Sequence, residues 1–446
     1  MQKKFDKYIR ENNLFTKKDK VLLAFSGGVD SVALCVLLKQ GGYDFGLAHC
    51  NFQLRGKESD ADAAFAEKVA DFLEVPLHLK NFTTKKIAAE RKESIQIAAR
   101  HLRYTWFREL SQDEDYACIA TAHHLNDSIE TVFFNFSRGC GIRGMHGILP
   151  KKGDLVRPLS FATKLEILNF AEKYELTWRE DTSNASEKYV RNRIRKHIVP
   201  EFEKLNDGFL QSANQTINRL RDAEKLVDFA LLTIKKEVYA ERGRKVFIDF
   251  EKLRSYPAAK TVLFELIKPF GFNGAQIEQL FRSDFTQSGK LFPSSTHKML
   301  SGRTHLIIKP LEEDSIDNIS VSESDKTYSL PEGSLRVEIA AEIPTDFPRD
   351  KNVTWLNTEK LTFPLTLRRW RRGDAFQPLG MKGKSRKLSD FMTDIKLSRF
   401  EKEEIWLLTS EEKICWVVGR RADERFKITK KTGVCVRLTF EEKQVE

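Results

Sequence analysis

Short apolar runs alternate with longer amphipathic segments from about residue 20 to residue 160 of the chain. Each apolar run is bounded by turn-forming residues, which predicts a strand, and the segments between the runs have the period of a helix. The strands are predicted at Val21–Phe25, Phe45–Cys50, Leu77–Phe82, Ala117–Ala122 and Leu155–Val156. The helices are predicted at Val32–Lys39, Ser59–Leu73, Ser94–Leu110, Asp127–Ser137 and Thr163–Tyr174. This alternation is typical of an α/β domain with a parallel sheet, in which ligands bind where the strands end.

The alternation stops after residue 206, which predicts that further domains follow. Residues 209–239 have the pattern of one long helix with a polar face, and a mixed, mainly helical segment with a hairpin at Ser301-Gly302 continues to Pro310. Residues 311–326 contain six acidic side chains and one lysine, which indicates a linker. Strand-like runs beyond it predict a small α+β domain. The domains are therefore expected at residues 1–206, 207–310 and 327–446, with the linker between the last two.

Composition narrows the class of protein. A chain of 446 residues is long enough for about three domains. Its net charge of +11 favours a polyanionic partner, and nucleic acid is the first expectation. No apolar run reaches the roughly 18 residues of a membrane span and the N-terminus lacks a signal-peptide pattern, so a cytoplasmic protein without membrane contact is expected. The six cysteines stand singly, without a C-x-x-C pair, and are expected to be reduced and mostly buried.

The segment SGGVDS, Ser26–Ser31, follows the first predicted strand and leads into a helix. Gly27 and Gly28 allow positive φ and a close approach of the backbone to a ligand. Unpaired N–H groups at the start of the helix, together with the hydroxyls of Ser26 and Ser31, suit pyrophosphate. A carboxylate at Asp30 beside phosphates requires a cation between them, and Mg²⁺ takes such oxygen ligands. A packing turn is the alternative, but the unbroken order of strand, glycines, Asp-Ser and helix favours phosphate binding.

This loop resembles that of the N-type ATP pyrophosphatases of the PP-loop superfamily, and it lacks the lysine of a Walker A loop. These enzymes cleave ATP to AMP and pyrophosphate through an adenylated intermediate. They include tRNA thiolases, NAD and GMP synthetases, asparagine synthetase and tRNA(Ile)-lysidine synthetase. The resemblance implies a Rossmann-like parallel-sheet catalytic domain over residues 1–206. It also implies that ATP is bound by Ser26, Gly27, Gly28, Val29, Asp30 and Ser31.

Acidic residues and histidines follow the fourth predicted strand, in IATAHHLNDSIETVFFNFSRGCGIRG. Asp127 and Glu130 are three residues apart and so share one face of the predicted helix, directed back towards the strand end. His123 and His124 precede them. Such a group can bind a metal, act as acid and base, or hold a cationic substrate, and a solvated helix start is the plain alternative.

The same segment resembles the signature of tRNA(Ile)-lysidine synthetase, because TAHH, ND, ET and RGCGIRG stand in that family's order and spacing. The resemblance implies that L-lysine, with its two ammonium groups, is held by His123, His124, Asp127 and Glu130. The catalytic residues implied are Asp30, Asp127, Glu130 and His124, with Asp30 as the metal ligand.

Two further segments resemble the same family, with some departures. Asn126 and Ser128 replace the commoner Asp and Gln of the signature. AHCNFQLRGKESD matches a family region in which Phe52 replaces a histidine, so Phe52 is expected to pack rather than react. AARHLRYTWF matches another region and places Arg100 and Arg103 on one helical face, where surface charge and contact with RNA or phosphate remain equal alternatives.

Two arginine-rich segments are candidates for tRNA binding, since guanidinium groups bind phosphate oxygens in pairs. The first, EDTSNASEKYVRNRIRKHIVP, contributes Arg191, Arg193 and Arg195. The second is a basic strip from Arg368 to Arg399, whose leading arginines are Arg368, Arg369, Arg371 and Arg372. Trp370 and Phe376 in this strip are expected to pack or to stack on bases. A solvated helix and ordinary surface charge are the alternatives.

The resemblance covers nearly the whole chain and weakens only at the linker. It implies ATP-dependent ligation of L-lysine to the wobble cytidine of an isoleucine tRNA with a CAU anticodon, which gives lysidine, AMP and pyrophosphate and switches codon reading from AUG to AUA. ATP and Mg²⁺ are the implied cofactors, and the protein is expected to be a monomer or a homodimer. A PP-loop tRNA thiolase is the alternative enzyme, although it would normally need a cysteine pair or iron–sulfur ligands. A non-catalytic RNA-binding protein that retains a nucleotide fold is the third alternative.

Overall fold

The computed structural model describes residues 1–54, 56–180, 190–282, 289–302, 304–311, 318–340, 350–429 and 432–443. The chain divides into two units, Met1–Asp228 and Phe229–Glu446. Their boundary falls inside a helix of 30 residues, Phe209–Val238, which was expected as a long helix from its polar face. Of the helices described, none is both long and apolar enough to cross a membrane.

A six-stranded sheet forms the centre of the first unit. Its strands are β1 (Val21–Ala24), β2 (Phe45–Asn51), β3 (Leu77–Asn81), β4 (Cys118–Ala120), β5 (Lys151–Lys152) and β6 (Leu155–Val156). Their order is β3-β2-β1-β4-β6-β5, and every neighbouring pair is parallel except β5 with β6. The central strand β1 has helices on both faces, which is why its sequence VLLA is apolar throughout rather than alternating. The predicted parallel sheet is confirmed.

Helices cover both faces of this sheet. They are α1 (Gln2–Glu11), α2 (Val29–Gln40), α3 (Lys57–Leu73), α4 (Thr84–Glu90), α5 (Ile95–Asp113), α6 (Leu125–Ser137), α7 (Ile142–Met145) and α8 (Lys164–Lys173). One core joins α1, α2 and α8 to the sheet through residues such as Phe5 and Leu34. A second core joins α5 to the opposite face, where Trp106 packs near Leu22. The five predicted helices correspond to α2, α3, α5, α6 and α8, whereas α1 buries only Phe5 and Ile9 and so leaves little apolar pattern.

The first unit ends in a helical segment that packs on α6. It contains α9 (Val190–Arg193), a π-helical turn (Ile194–Ile198), α10 (Val199–Leu205) and the start of α11 (Phe209–Val238). Ile194 and Ile217 bury their side chains against Ile129 of α6. Residues 181–189, which precede this arginine-rich segment, lie outside the described residues.

The second unit begins with helices around a five-stranded antiparallel sheet. The helices that follow α11 are α12 (Phe250–Arg254), α13 (Ala259–Ile267) and α14 (Gly274–Arg282). The strands are β7 (Tyr239–Arg242), β8 (Lys245–Asp249), β9 (Leu291–Pro293), β10 (His297–Ser301) and β11 (His305–Pro310), in the order β7-β8-β11-β10-β9. With α11 to α14 the middle region is helical, as expected, and its helices pack around this sheet. The pairing of β10 with β11 confirms the predicted hairpin at Ser301-Gly302.

The C-terminal region is a small β-rich α+β domain. Its strands are β12 (Ile319–Val321), β13 (Lys326–Leu330), β14 (Gly333–Ala340), β15 (Val353–Asn357), β16 (Leu365–Arg369), β17 (Ala375–Phe376), β18 (Arg386–Lys387), β19 (Trp406–Ser410), β20 (Lys413–Val417), β21 (Arg421–Ala422) and β22 (Cys435–Glu442). Its helices are α15 (Leu388–Asp394) and α16 (Arg399–Glu403). Sheets of order β12-β16-β19-β20-β21 and β13-β14-β22-β15 enclose one core, in which Trp416 and Leu408 are almost fully buried.

The predicted acidic linker needs a correction at its C-terminal end. Ile319–Val321 forms β12, which pairs with β16, so these residues belong to the C-terminal sheet. Val321 is fully buried, and one buried residue among serines and acidic groups is too weak a pattern to indicate a strand. Residues 312–317 of the linker lie outside the described residues, and the other predicted domain boundaries remain predictions.

Candidate active site at the carboxyl edge of the parallel sheet

The glycine loop joins the end of β1 to the start of α2. Gly27 has a φ of +82°, which an L side chain rarely adopts, and a Cβ there would also touch the Phe65 ring at 3.5 Å. Gly28 does not use the positive φ that the sequence analysis allowed for it. Its φ of −74° is ordinary extended backbone at the N-cap of α2. The loop is closed by hydroxyl contacts, in which Ser31 Oγ donates to the Gly28 carbonyl at 2.8 Å and Ser26 Oγ lies 3.2 Å from Ser31 Oγ. The first N–H groups of α2 therefore face the edge of the sheet without a carbonyl of their own helix to bind.

Asp30, in the first turn of α2, is paired with a lysine that the sequence did not single out. Lys164 Nζ donates to Asp30 Oδ1 at 2.6 Å. Lys164 is the first residue of α8, and its backbone N–H donates to Asn126 Oδ1 at 3.0 Å. Asn126, one of the two departures from the family signature, therefore connects the start of α6 to the start of α8. The second departure, Ser128, is buried and accepts a hydrogen bond from the Ile148 N–H at 3.3 Å.

His124 lies between Asp30 and Asp127, two of the three acidic residues of the predicted site. Its Nε2 is 3.9 Å from Asp30 Oδ1 and 3.6 Å from Asp127 Oδ2. The backbone N–H of His124 also donates to Asp127 Oδ2 at 3.0 Å, which fixes the carboxylate at the start of α6. Residues from the ends of β1 and β4 thus meet at one point, as expected for neighbouring parallel strands.

Glu130 and Asp127 are both held by Arg195. The guanidinium binds Glu130 through two hydrogen bonds, Nε to Oε1 at 2.6 Å and Nη2 to Oε2 at 2.9 Å, and its Nη2 is 3.3 Å from Asp127 Oδ1. Arg191 Nη2 donates to Thr131 Oγ1 at 3.1 Å on the same helix, and Arg193 is exposed. Two of the three arginines expected to contact tRNA are therefore engaged with α6, because the π-helical turn packs against it.

The environment shifts the pKa values of these groups in different directions. Burial lowers the pKa of His123 to about 4, although the Asp127 charge acts to raise it, so the ring is uncharged at neutral pH. Burial also acts to raise the pKa of Asp127, but the neighbouring His124 and His123 and the His124 N–H outweigh it and the pKa is lowered. Burial raises the pKa of Glu130 even though Arg195 acts to lower it. The site therefore combines an ionised carboxylate with an uncharged imidazole.

A cavity of about 570 Å³ opens beside the loop. Its walls include Ser26 of the loop, His49 and Asn51 of β2, and Arg103 of α5. His49 is buried and its Nδ1 lies 3.1 Å from the Phe25 carbonyl. Phe52 stacks on Phe82 with ring centroids 5.6 Å apart, so it packs as expected.

Arg179 is a further residue at the loop that sequence reasoning missed. Its backbone N–H donates to the Gly27 carbonyl at 3.0 Å, and its side chain pairs with Asp62 of α3. It lies about 150 residues away from the loop in sequence, outside any recognisable motif, so only tertiary structure brings it to the phosphate site.

The chemistry of the donors bears on metal binding. Within the described ranges, no group of three or more His, Cys, Asp or Glu side chains is arranged to hold a metal ion. The six cysteines are free and four are buried, which agrees with the sequence expectation, and burial raises the pKa of the Cys118 thiol to about 12. Asp30 and Asp127 offer carboxylate oxygens at the loop. This set suits Mg²⁺, which takes one or two protein carboxylates and completes its shell with substrate phosphates and water.

The C-terminal arginines do not form one exposed strip, which corrects the expectation for two of them. Arg368 is buried and makes two hydrogen bonds to Asp374, at 2.7 and 2.9 Å. Arg369 donates to Glu332 Oε1 at 2.5 Å and lies over the Trp406 ring. Both lie on β16, where successive side chains point to opposite faces of the sheet, so each arginine is engaged on its own face. Arg371 and Arg372, in the turn beyond β16, are exposed.

Family models match three parts of the chain. A PP-loop domain matches residues 1–202, a TilS substrate binding domain matches residues 241–311, and a TilS substrate C-terminal domain matches residues 365–438. The first match contains the whole of the site described above.

Full-length relatives carry a single name. The tRNA(Ile)-lysidine synthase of Parabacteroides distasonis is 41% identical over 442 residues, which cover 97% of this chain and 98% of the relative. The tRNA(Ile)-lysidine synthase of Bacteroides thetaiotaomicron is 36% identical over 434 residues, with 97% and 98% covered. Among solved structures, the U34-tRNA thiolase NcsA from Methanococcus maripaludis matches 49% of this chain and 78% of its own at 20% identity, with a TM-score of 0.41. A TILS C-terminal domain matches 29% of this chain and 99% of its own at 18% identity, with a TM-score of 0.26.

Proposed function

This chain belongs to the tRNA(Ile)-lysidine synthase family, and we propose that it ligates L-lysine to the wobble cytidine of an isoleucine tRNA with a CAU anticodon. ATP is cleaved to AMP and pyrophosphate, and the product, lysidine, reads AUA instead of AUG. The observation that carries the proposal is the meeting of the loop residue Asp30 with Asp127 around His124. It supports the proposal that phosphates bind at the loop and a cation binds beside it at α6.

The first chemical step activates the cytosine. The oxygen on C2 attacks the α-phosphorus of ATP, pyrophosphate leaves, and an adenylated cytidine forms. The N–H groups at the start of α2 and the hydroxyls of Ser26 and Ser31 are placed to bind the departing phosphates. The cavity walled by His49, Asn51 and Arg103 is the proposed place of the adenosine part.

Mg²⁺ fits the carboxylates at the loop. Asp30 would hold the ion, and Lys164 would then release the Asp30 oxygen that it binds here. When bound, Mg²⁺ would neutralise negative charge on the pyrophosphate. In the absence of the ion, Lys164 supplies the positive charge that keeps Asp30 compatible with a phosphate site.

The second step replaces AMP by lysine. The ε-amine attacks C2 of the cytosine ring, the bond from C2 to the adenylate oxygen breaks, and AMP leaves. Free lysine has an amine pKa near 10.4, so the site must remove a proton before attack. We assign the binding of the ammonium groups to Asp127 and Glu130. We assign proton acceptance to the group formed by Asp127, Glu130, His123 and His124.

Arg195 has a defined place in this proposal. It binds the same carboxylate oxygens of Glu130 that a lysine ammonium would use. Lysine binding therefore requires the guanidinium to move or to share these oxygens. Phosphates of ATP or tRNA bound at the loop would attract the guanidinium of Arg195 away from Glu130.

The remaining parts of the proposal concern the whole protein. The exposed Arg193, Arg371 and Arg372 and the two downstream domains are proposed to contact the tRNA. We also propose a cytoplasmic location, and a monomer or a homodimer as the working form.

The decisive test is lysine incorporation. The protein is incubated with ATP, Mg²⁺, radiolabelled L-lysine and unmodified isoleucine tRNA bearing CAU, and methionine tRNA with the same anticodon serves as control. Label is expected in the isoleucine tRNA alone, with one pyrophosphate released per lysine. Absence of label, or equal label in both tRNAs, would contradict the proposal.

Substitution of Asp30 tests the loop. Asp30→Ala is expected to abolish pyrophosphate release while tRNA binding is largely retained, because Asp30 serves the phosphates and the ion. Asp222→Ala is the matched control, since Asp222 also pairs with a lysine but on the exposed surface of α11. Retained pyrophosphate release by Asp30→Ala would refute the role of Asp30.

A further inference from the structure

The charged side chains that line a second cavity in the first unit are mostly positive. It has a volume of about 900 Å³ and is formed by α5, the segment before it and the turn between β5 and β6. Four arginines and one lysine line it, against one carboxylate: they are Arg91, Arg100, Arg108, Lys152 and Arg157, with Asp154. Asp154 is 3.5 Å from Arg108 Nε, so the carboxylate offsets a small part of this charge. The cavity therefore suits a polyanion.

Arg157 forms the buried end of this cavity. Its residue is 8% exposed, and Nη1 donates to the Leu149 carbonyl at 2.8 Å. Among the described residues, no hydrogen-bond partner lies within reach of its buried Nε. Burial lowers the pKa of Arg157. Tyr104 acts to raise this pKa, and the charge of Arg100 lowers it further. A buried guanidinium with a free donor beside other cations is a costly arrangement, and an anion in the cavity would stabilise it.

The cavity adjoins the candidate active site. Arg157 follows Val156, whose carbonyl accepts a hydrogen bond from the Thr121 N–H at 3.0 Å. The hydroxyl of Thr121 is 2.8 Å from His123 Nδ1. The charge of Arg157 is one of those that act on His123. A ligand held at Arg157 would therefore be close to His123 of the candidate active site.

The aromatic side chain in the wall favours RNA over a free anion. Tyr104 lines the cavity, and the guanidinium of Arg100 lies 4.9 Å from its ring centroid. Aromatic and guanidinium planes are the surfaces on which unpaired RNA bases stack. Ser26 of the glycine loop lines the other cavity and no loop residue lines this one, so the triphosphate of ATP has a separate proposed place.

We propose that this cavity, with Arg157 at its base and Arg100 and Lys152 at its mouth, binds the sugar-phosphate backbone of the tRNA substrate near the reacting cytidine. The proposal rests on the proposed function for the identity of the RNA. It assigns Arg100 to RNA contact, where the sequence left surface charge as an equal alternative. Arg103, on the next turn of α5, lies over the Phe52 ring and lines the nucleotide cavity instead.

The test measures tRNA binding without ATP or lysine. Fluorescence anisotropy gives the Kd of labelled CAU tRNA for the full chain and for Arg100→Ala and Lys152→Ala, from about 50 to 200 mM NaCl. Each substitution is expected to raise Kd about three- to tenfold and to lower the slope of log Kd against log salt by about 1, because one phosphate contact is lost. Arg100→Lys, which keeps the charge, should stay within about twofold of the wild type.

Arg10→Ala is the matched control. Arg10 is an exposed arginine of α1, on the face of the sheet opposite α5, and Kd is expected to be unchanged. Variants that bind tRNA like the wild type would overturn the proposal. So would a raised KM for ATP with unchanged tRNA affinity, because the cavity would then hold the nucleotide's phosphates. A wild-type chain that binds no tRNA would contradict the proposed function itself, and the two failures are therefore distinguishable.

Discussion

Arg195 occupies the carboxylates that the sequence assigns to lysine. Glu130 is 3% exposed, and its two oxygens are used by one guanidinium. A buried carboxylate needs such a partner, because an unpaired charge at this position would be strongly destabilising. The same geometry shows one planar cation, the guanidinium of Arg195, held between Glu130 and Asp127. At the scale of single residues, Glu130 and Asp127 therefore bind the Arg195 cation in the chain without a substrate.

Removal of the Glu130 charge should therefore weaken lysine binding. Glu130→Gln is expected to raise KM for lysine about ten- to hundredfold, since hydrogen bonds to charged groups contribute about 1.5–3 kcal/mol. KM for ATP should change little. Steady-state kinetics with tRNA in excess measure both constants, and Glu201→Gln, an exposed glutamate paired with Lys204, is the control. Unchanged KM for lysine would remove Glu130 from the lysine site.

His123 should make the protein sensitive to acid. Its pKa is about 4 in the folded chain, below the value near 6.5 of an unfolded one. Between these values the unfolded state binds the proton first, so the free energy of unfolding falls as pH falls from 6.5 to 4, by up to about 3 kcal/mol. His123→Asn should lose less stability over that window. Urea unfolding at a series of pH values measures the free energy of unfolding of the wild type and of His123→Asn. Parallel pH dependence of the two proteins would contradict a lowered pKa of His123.

At the scale of elements, the helix starts meet at the site and hold one another. Thr163 caps α8 and exchanges hydrogen bonds with Glu166, a capping box that the sequence signals locally. The bond from the Lys164 N–H to Asn126 joins α8 to α6, two helices whose starts are about 40 residues apart. The sequence predicted both helices, because each has its own apolar pattern. It did not predict their contact, which depends on how β4 and β6 bring them together.

Asn126→Ala tests this connection. Loss of the acceptor leaves a partly buried N–H without its partner and should lower the free energy of unfolding by about 1–2 kcal/mol. KM for ATP should rise as well, because the position of Lys164 against Asp30 is loosened. Asn218→Ala is the control, since Asn218 is bound by Arg221 on the exposed surface and its loss should cost about 0.5 kcal/mol or less. Equal effects of the two substitutions would show that the connection is unimportant.

At the scale of the molecule, the second unit contains a cluster of charges that joins its two regions. Lys298 and Lys309 pair with Glu403 at 2.9 and 3.2 Å, and Lys245 pairs with Glu404. Lys309 is 3% exposed, so its ammonium depends on these carboxylates. The lysines come from the sheet of β7 to β11, and the glutamates come from α16 and the residue after it. The sequence placed these residues in two separate domains and gave no sign that they meet.

Loss of both carboxylates should strongly destabilise the second unit. Glu403→Ala combined with Glu404→Ala leaves Lys309 as a buried charge without these partners, at a cost of about 3–5 kcal/mol. Unfolding followed by tryptophan fluorescence, to which Trp406 and Trp416 contribute, should show the loss. Glu201→Ala, which removes an exposed pair, should change stability by less than about 1 kcal/mol. A loss no larger than that of the control would mean that the cluster does not hold the regions together.

The sequence by itself determined the parallel sheet, the glycine loop and the acidic helix start, because these depend on local apolar patterns and on short motifs. It also identified Asp30, His124, Asp127 and Glu130, which lie directly after β1 and β4. Tertiary structure decided the partners of these groups. Lys164 and Arg179 reach the site from distant segments without a local signal, and Arg195, which the sequence assigned to tRNA, binds Glu130. It likewise decided that Arg368 is buried and that Arg369 is engaged, since each depends on an ion pair formed by the folded chain.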